Sequence, residues 1–189
     1  MIQEQLKKIK AKKMMLWFSM ISMTMTFGGL TSAYVVSSSR QDWLEGFNLP
    51  GSFLISTICI LLSSFTFYLS KKGMLKGSLS LQIFFLWLTI ILSILFIYFQ
   101  INGFKEIVDQ GYYFTGAESS ITTSFLYILV MLHVFHFLAG MIVLIVVTIN
   151  SYRRLYNSEN KLGFELALIF WHFLDLLWLY LYIFLTAYN

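Results

Sequence analysis

Residues 165–188 read ELALIFWHFLDLLWLYLYIFLTAY, and this run decides the fold. A helix rises 1.5 Å per residue, so about 20 residues cross the ~30 Å hydrocarbon core of a bilayer. Between Leu166 and Tyr188 only His172, Asp175 and Thr186 are neither aliphatic nor aromatic. A carboxylate or imidazole near the midplane costs roughly 2–3 kcal/mol even on insertion scales, so it faces a helix bundle and finds a partner there. Trp171-His172-Phe173-Leu174-Asp175 thus predicts both a membrane span and a bundle around it.

Working outward, the 189 residues are 58% hydrophobic, 19% aromatic and 12% charged, with one proline, which excludes an ordinary soluble domain. Apolar runs at about 14–36, 51–70, 79–101, 121–149 and 165–188 are each long enough to span. They show no period-two alternation, which favours helices over a barrel. The expected fold is all-α: a polytopic membrane protein, one domain over 1–189, built as a bundle of five transmembrane helices. Lys7, Lys8, Lys10, Lys12 and Lys13 precede the first run, Lys71, Lys72 and Lys76 follow the second, and Arg153, Arg154 and Lys161 follow the fourth. The other two connections carry Arg40 and Lys105. The positive-inside rule then expects a cytoplasmic N-terminus and a C-terminus outside, with Asp42, Glu45, Glu106, Asp109 and Glu118 on the outer side. These basic residues flank spans and read as topology anchors, with no nucleic acid as partner. The first run is too long for a cleaved signal peptide, and Thr31-Ser32-Ala33 is a poor cleavage site. Cys59 is the single cysteine, so neither an intrachain disulfide nor a cysteine metal cluster can form.

In the first run Ser22, Thr26, Gly29 and Ala33 share a narrow face of small side chains that suits close helix packing, and the scattered methionines read as packing or lipid contacts. Asn48-Leu49-Pro50 opens the second run, where Pro50 suits a first helical turn; Ser52, Ser56, Thr57, Ser63, Ser64 and Thr66 can bond back to the preceding turn. The third run, interrupted by Gln82, Thr89, Ser93 and Gln100, reads as lipid-facing bulk with one packing stripe. In the fourth, His133 and His136 are three residues apart and face one side. Counted along the helices, His133 lies ~18 Å from one boundary and Asp175 ~15 Å from the other, so their depths nearly coincide. The fourth and fifth runs are therefore expected to be antiparallel neighbours sharing a polar cluster of His133, His136, His172 and Asp175, with Glu165 at its inner entrance. The two histidines of the fourth run cannot hold one haem iron from opposite faces, and a di-metal site wants more carboxylates at this depth than Asp175. A structural cluster, bonded between helices or to a lipid head group, and proton handling both stay open.

The combination of Leu49-Pro50, Ser56-Thr57 and Leu61-Leu62-Ser63-Ser64 with His133-x-x-His136, Gly140, Gly163-Phe164-Glu165 and Trp171-His172-Phe173-x-Asp175-x-x-Trp178 resembles subunit III of the haem–copper oxidases. The resemblance runs along essentially the whole chain and is strongest in the last two runs. It implies a membrane subunit with no catalytic residue, cofactor or metal of its own. Such a subunit packs on subunit I of a cytochrome c oxidase, binds phospholipid in a cleft and supports proton uptake and stability during aerobic electron transport; haem and copper are expected in the partner subunits. It further implies the bacterial cytoplasmic membrane and the shorter five-helix form, beginning at the equivalent of the third helix of longer members. Aligning the family's Phe-x-Gly-Leu-like stretch on Phe27-Gly28-Gly29-Leu30 puts its buried glutamate at Met23, which cannot carry a proton. A quinol oxidase subunit and a protein associated with nitric oxide reductases are rivals within the family. Outside it stand a small transporter, for which paired repeats and broken helices are lacking, and a stand-alone haem-binding cytochrome.

Overall fold

The computed structural model describes residues 2–40, 43–44, 49–114, 116, 120–157 and 160–188; of the positions named above, Asp42, Glu45, Asn48 and Glu118 lie outside these. Five helices follow one another: α1 (Ile2–Ser37), α2 (Gly51–Leu75), α3 (Leu79–Asp109), α4 (Ile121–Tyr152) and α5 (Leu162–Ala187). Each is long and apolar enough to cross a membrane. The first begins earlier than its apolar run, so the lysines belong to the same helix. Its 36 residues reach ~54 Å, well beyond a hydrocarbon core, and the charged turns include a Glu4–Lys8 pair at 3.1 Å.

The helix ends follow local chemistry. Pro50, with φ −54°, stands immediately before α2, one residue ahead of the first-turn position expected. Ser120 and Thr123 close a reciprocal cap at the start of α4, which satisfies two otherwise orphaned amides. Helices α2, α3 and α4 each end on a left-handed residue: Gly77 (φ 71°), Gly111 (φ 85°) and Arg154 (φ 55°). The next amide in each case reaches back to the last turn: Ser78 to Gly73, Tyr112 to Ile107, Leu155 to Asn150. That geometry uses carbonyls which the helix itself leaves free.

Buried positions on α3 run Gln82, Leu86, Thr89, Ser93, Phe96, Gln100, Gly103, Ile107, alternating steps of four and three. On α2 the series Phe53, Ser56, Ile60, Ser63, Phe67, Ser70, Met74 does the same. A repeat of 3.5 keeps one seam facing a neighbour when nearly antiparallel helices pack left-handedly. The α2–α3 hairpin is the most extensive helix pair. The Phe53 ring lies over Gly103 and the backbone of Gln82 against Gly73, at approaches that a Cβ would obstruct. Gln100 Nε2 donates to Ser56 Oγ at 3.0 Å, the Thr66 and Thr89 hydroxyls bond at 2.8 Å, Ser70 Oγ donates to the Gln82 carbonyl at 2.9 Å, and Ser52 bonds Glu106. Gln82 Nε2 continues to Ser151 Oγ on α4 at 2.9 Å. The third run thus has the expected form, one packing stripe on a helix whose apolar window is otherwise mostly unburied, and every polar interruption named in it lies buried on that stripe. Polar groups left in hydrocarbon would be unsatisfied, and their spacing gathers them on the stripe that α2 and α4 cover.

Helices α2, α3, α4 and α5 close a ring, each packing on the next, while among the described helices α1 packs on α4 and α5. Inside the ring Phe96 meets Phe137 at 4.6 Å and Trp178 at 5.5 Å, and Phe137 meets Trp171 at 5.1 Å, between ring centroids. Both tryptophans are fully buried. These offset and edge-on pairs add to the area they bury and form the floor on which the polar residues of α5 sit.

Candidate functional site

The α5 motif reaches its partners mainly through α2. At one end of the seam Trp178 Nε1 donates to Thr57 Oγ1 at 2.9 Å. One step further Trp171 Nε1 donates to Ser63 Oγ at 3.1 Å, and His172 Nδ1 bonds the Ser64 hydroxyl. At the other end Glu165 lies 3.4 Å from Lys71 Nζ and 3.7 Å from Lys161 Nζ. Thr57, Ser64 and Lys71 are seven residues apart on α2, two helical turns or ~10.5 Å, and meet Trp178, His172 and Glu165 in reverse order on α5. The register is antiparallel. Thr57 and Ser63 also donate to Phe53 O and Ile60 O of their own helix, so each hydroxyl uses its proton locally and offers its lone pairs to an indole.

The fourth and fifth helices are neighbours, and His133 and Asp175 sit at matching depth as their positions predict: His133 Nε2 lies 3.1 Å from the carbonyl oxygen of Leu174. His133 is wholly buried, with its ring against Trp178 (5.0 Å), Phe96 (6.0 Å) and Phe137 (6.3 Å). Its Nδ1 has no hydrogen-bond partner among the described residues. His136 is half-buried; its Nδ1 bonds Leu132 O in its own helix and its ring meets the edge of Phe27 on α1 at 5.9 Å. The structure therefore brings His133 beside Leu174 of α5 and gives each of the three histidines its own contact. No hydrogen bond joins any two of them among the described residues. One histidine faces the ring interior, one faces α1, and the third faces α2.

Asp175 is 2% exposed. Among the described residues neither of its carboxyl oxygens has a partner in hydrogen-bond geometry. Among the described residues no three His, Cys, Asp or Glu side chains converge as a metal ligand set. With His133, His136 and His172 turned to three different neighbours, the donor set does not fit a haem or copper centre.

The small face of α1 points outward: Ser22, Thr26, Gly29 and Ala33 are all exposed, while Met20, Phe27, Thr31 and Tyr34 are buried. Thr31 Oγ1 and Tyr180 Oη share a bond of 3.0 Å. Met23 is half-buried. Residues that sequence reasoning passed over are Ser64 and Lys71, the α2 partners of His172 and Glu165. Their signal was the seven-residue spacing with Thr57.

The profile of the family described as Cytochrome c oxidase subunit III matches residues 17–189. Among curated relatives, the cytochrome bo(3) ubiquinol oxidase subunit 3 of Pseudomonas aeruginosa is 27% identical over 86% of this chain and 78% of that protein. The probable quinol oxidase subunit 3 of Staphylococcus haemolyticus is 29% identical over 90% of this chain and 85% of its own. The cytochrome c oxidase subunit 3 of Alkalihalophilus pseudofirmus is 30% identical over 68% and 61%.

Proposed function

Since the chain belongs to the cytochrome c oxidase subunit III family, we propose that it is the accessory third subunit of a respiratory haem–copper terminal oxidase in a bacterial cytoplasmic membrane. The observation that carries this reading is the family match from residue 17 to 189, which takes in four helices entirely and the apolar part of the first. In this role the chain supplies no catalytic residue. Electron transfer and oxygen reduction belong to haem and copper in the partner subunits, in keeping with a donor set that fits neither group. The buried residues of α5 tie the bundle together, and the outward face of Ser22, Thr26, Gly29 and Ala33 is free to meet subunit I at close approach.

Lipid enters this proposal through the loose seating of α1. An apolar groove of about 270 Å³ lies between α1 and α5, lined by Thr24, Phe27, Gly28, Phe173 and Tyr180. A second of about 310 Å³ is lined by Leu16, Ser19, Val143 and Phe170. Both suit acyl chains. The charge pattern orients the bundle with the N-terminus and the Lys71–Glu165 end in the cytoplasm, where that end is placed to support proton uptake.

Cytochrome c is the electron donor that the motif resemblance favours. Quinol is the second reading, favoured by the relatives named as quinol oxidases, which align with more of this chain. Purification through a tag on this chain in mild detergent, with a reduced-minus-oxidised spectrum and metal analysis, tests the assignment. Haem and copper at about one oxidase per chain, lost when harsher detergent isolates the chain, are expected. Haem retained by the isolated chain, or none at any stage, overturns it. Oxygen uptake by the purified complex with reduced cytochrome c against a quinol separates the two donors.

A further inference from the structure

The end of the bundle that carries Lys71 and Glu165 holds a hollow that the helix seams do not use. About 320 Å³ of space lies between the α2–α3 turn and the segment after α4, with Gly77, Leu79, Gln82, Arg154 and Tyr156 in its walls. Pockets for small ligands begin at about that size. Arg154 is exposed, and among the described residues its guanidinium takes part in no ion pair. Glu165, the carboxylate described at this end, is shared by Lys71 and Lys161. The chain keeps this arginine on a left-handed backbone, where α2 and α3 end in glycine. Tyr156 Oη accepts from Asn150 Nδ2 at 3.3 Å, which leaves its own proton free to be donated. Leu79 opens α3, and Ser78 makes no side-chain bond to the amides of that first turn, so the positive end of the helix also favours an anion here. Gln82 supplies the opposite sign. It is 2% exposed and gives its Nε2 to Ser151 Oγ. Ser151 spends its own proton on the Val147 carbonyl, so the amide cannot be turned over, and Gln82 Oε1 is left to the hollow as an acceptor with no partner among the described residues.

We propose that this hollow binds a phosphate ester that also carries a hydroxyl or ammonium group. The phosphate lies between Arg154, the Tyr156 hydroxyl and the first turn of α3, and the second group donates to Gln82 Oε1. A guanidinium fork matches two phosphate oxygens at once. A bare anion would set its charge beside the Gln82 oxygen and leave that oxygen unmet, and a neutral polyol would leave Arg154 unmet. A phosphoglycerol or phosphoethanolamine unit meets both. The surrounding field draws such an anion in: the connections at this end carry Lys71, Lys72, Lys76, Arg153, Arg154 and Lys161 against Glu159 and Glu165, and a one-signed rim raises the local concentration of its counter-ion. The ester belongs either to a free molecule or to the head group of a phospholipid in the adjoining leaflet. No residue of α1 lines the hollow, so it is separate from the apolar grooves beside that helix. It does not rest on the oxidase assignment.

The test uses the full chain in nanodiscs of phosphatidylcholine, whose head group has no N–H or O–H to donate, with unfolding midpoints read at constant ionic strength against glycerol phosphate and methyl phosphate. Glycerol phosphate should raise the midpoint at concentrations about tenfold below those methyl phosphate needs, since the latter lacks the second donor. Arg154→Gly, which relieves a left-handed backbone and should be no less stable without ligand, should lose the rise. Tyr156→Phe keeps the ring and should weaken it. Exchanging part of the phosphatidylcholine for phosphatidylglycerol separates the two sources. A higher starting midpoint that is absent from Arg154→Gly, with no further response to glycerol phosphate, assigns the site to a lipid head group; an undiminished response to glycerol phosphate assigns it to a soluble ester. A midpoint of the unsubstituted chain that neither glycerol phosphate nor phosphatidylglycerol moves overturns the site without any variant having to fold, and so does an equal rise in Arg154→Gly. Equal potency of the two soluble esters overturns the part given to Gln82.

Discussion

At the scale of single residues, a Cβ built on Gly73 would lie 2.9 Å from the Gln82 backbone nitrogen, one on Gly103 2.6 Å from the Phe53 ring, and one on Gly140 2.7 Å from a Leu174 methyl. Gly28 and Gly29 have nothing within 4 Å. Backbone yields least, so Gly73→Ala should destabilise the isolated chain most, by about 1–3 kcal/mol, with Gly103→Ala and Gly140→Ala milder as their side-chain neighbours turn aside. Gly28→Ala and Gly29→Ala should cost nothing, since alanine is the better helix former. Unfolding midpoints in mixed micelles read this order, and a loss at Gly29 equal to that at Gly73 would contradict the outward placement of the small face. The depth of His133 against Asp175 was legible from counting residues. That the two would not bond each other was not, because a sequence fixes axial position more firmly than the turn of a side chain about the helix. Ser64 shows the same limit. It reads as one more self-satisfied hydroxyl beside Ser63, and only its rotation by one residue toward α5 makes it the partner of His172.

Among the elements, the left-handed end of α4 falls on Arg154, where α2 and α3 have glycine. An L side chain there costs of the order of 1 kcal/mol, so Arg154→Gly should stabilise the chain by about that amount, measured by the same unfolding midpoints; a loss would mean that the arginine head group holds more than the backbone gives up. Helix α1 behaves oppositely. It rests on α4 and α5 through Met20, Phe27, Thr31 and Tyr34, with 17% of its most apolar window buried against 50% for α5. Phe27→Ala removes a fully buried ring and should speed hydrogen exchange in the middle of α1 at least several-fold while leaving the α2–α3 hairpin protected, since among the described residues α1 packs on α4 and α5 and not on that hairpin. Existence and order of the five helices were readable from length and hydropathy alone. The role of α3 was also present, in the unbroken four-three alternation from Gln82 to Ile107. Its few polar residues, however, draw the eye as interruptions of an apolar run, and the 3.5 repeat appears only when they are counted together with the apolar positions between them.

For the whole molecule, the placement of basic residues makes a topological prediction independent of any partner. With Cys59 replaced by alanine, Lys76→Cys should be shielded from a membrane-impermeant maleimide added outside intact spheroplasts and Gln110→Cys should react; the reverse pattern would turn the bundle over. Such a bundle also has to be made in order. Helices appear from the ribosome one after another, and α2 enters the bilayer roughly ninety residues of synthesis before the tryptophans of α5 exist, several seconds at ~5–20 residues per second. A helix carrying Ser56, Thr57 and Ser63 would seem ill-suited to wait in hydrocarbon. Each of these hydroxyls, however, already donates to a carbonyl of its own preceding turn, so the helix is chemically quiet while alone, and its spare lone pairs ask for nothing until Gln100, Trp171 and Trp178 arrive to donate to them. The last helix therefore closes a ring prepared in advance, and no earlier intermediate has to tolerate a stranded hydroxyl at these three positions.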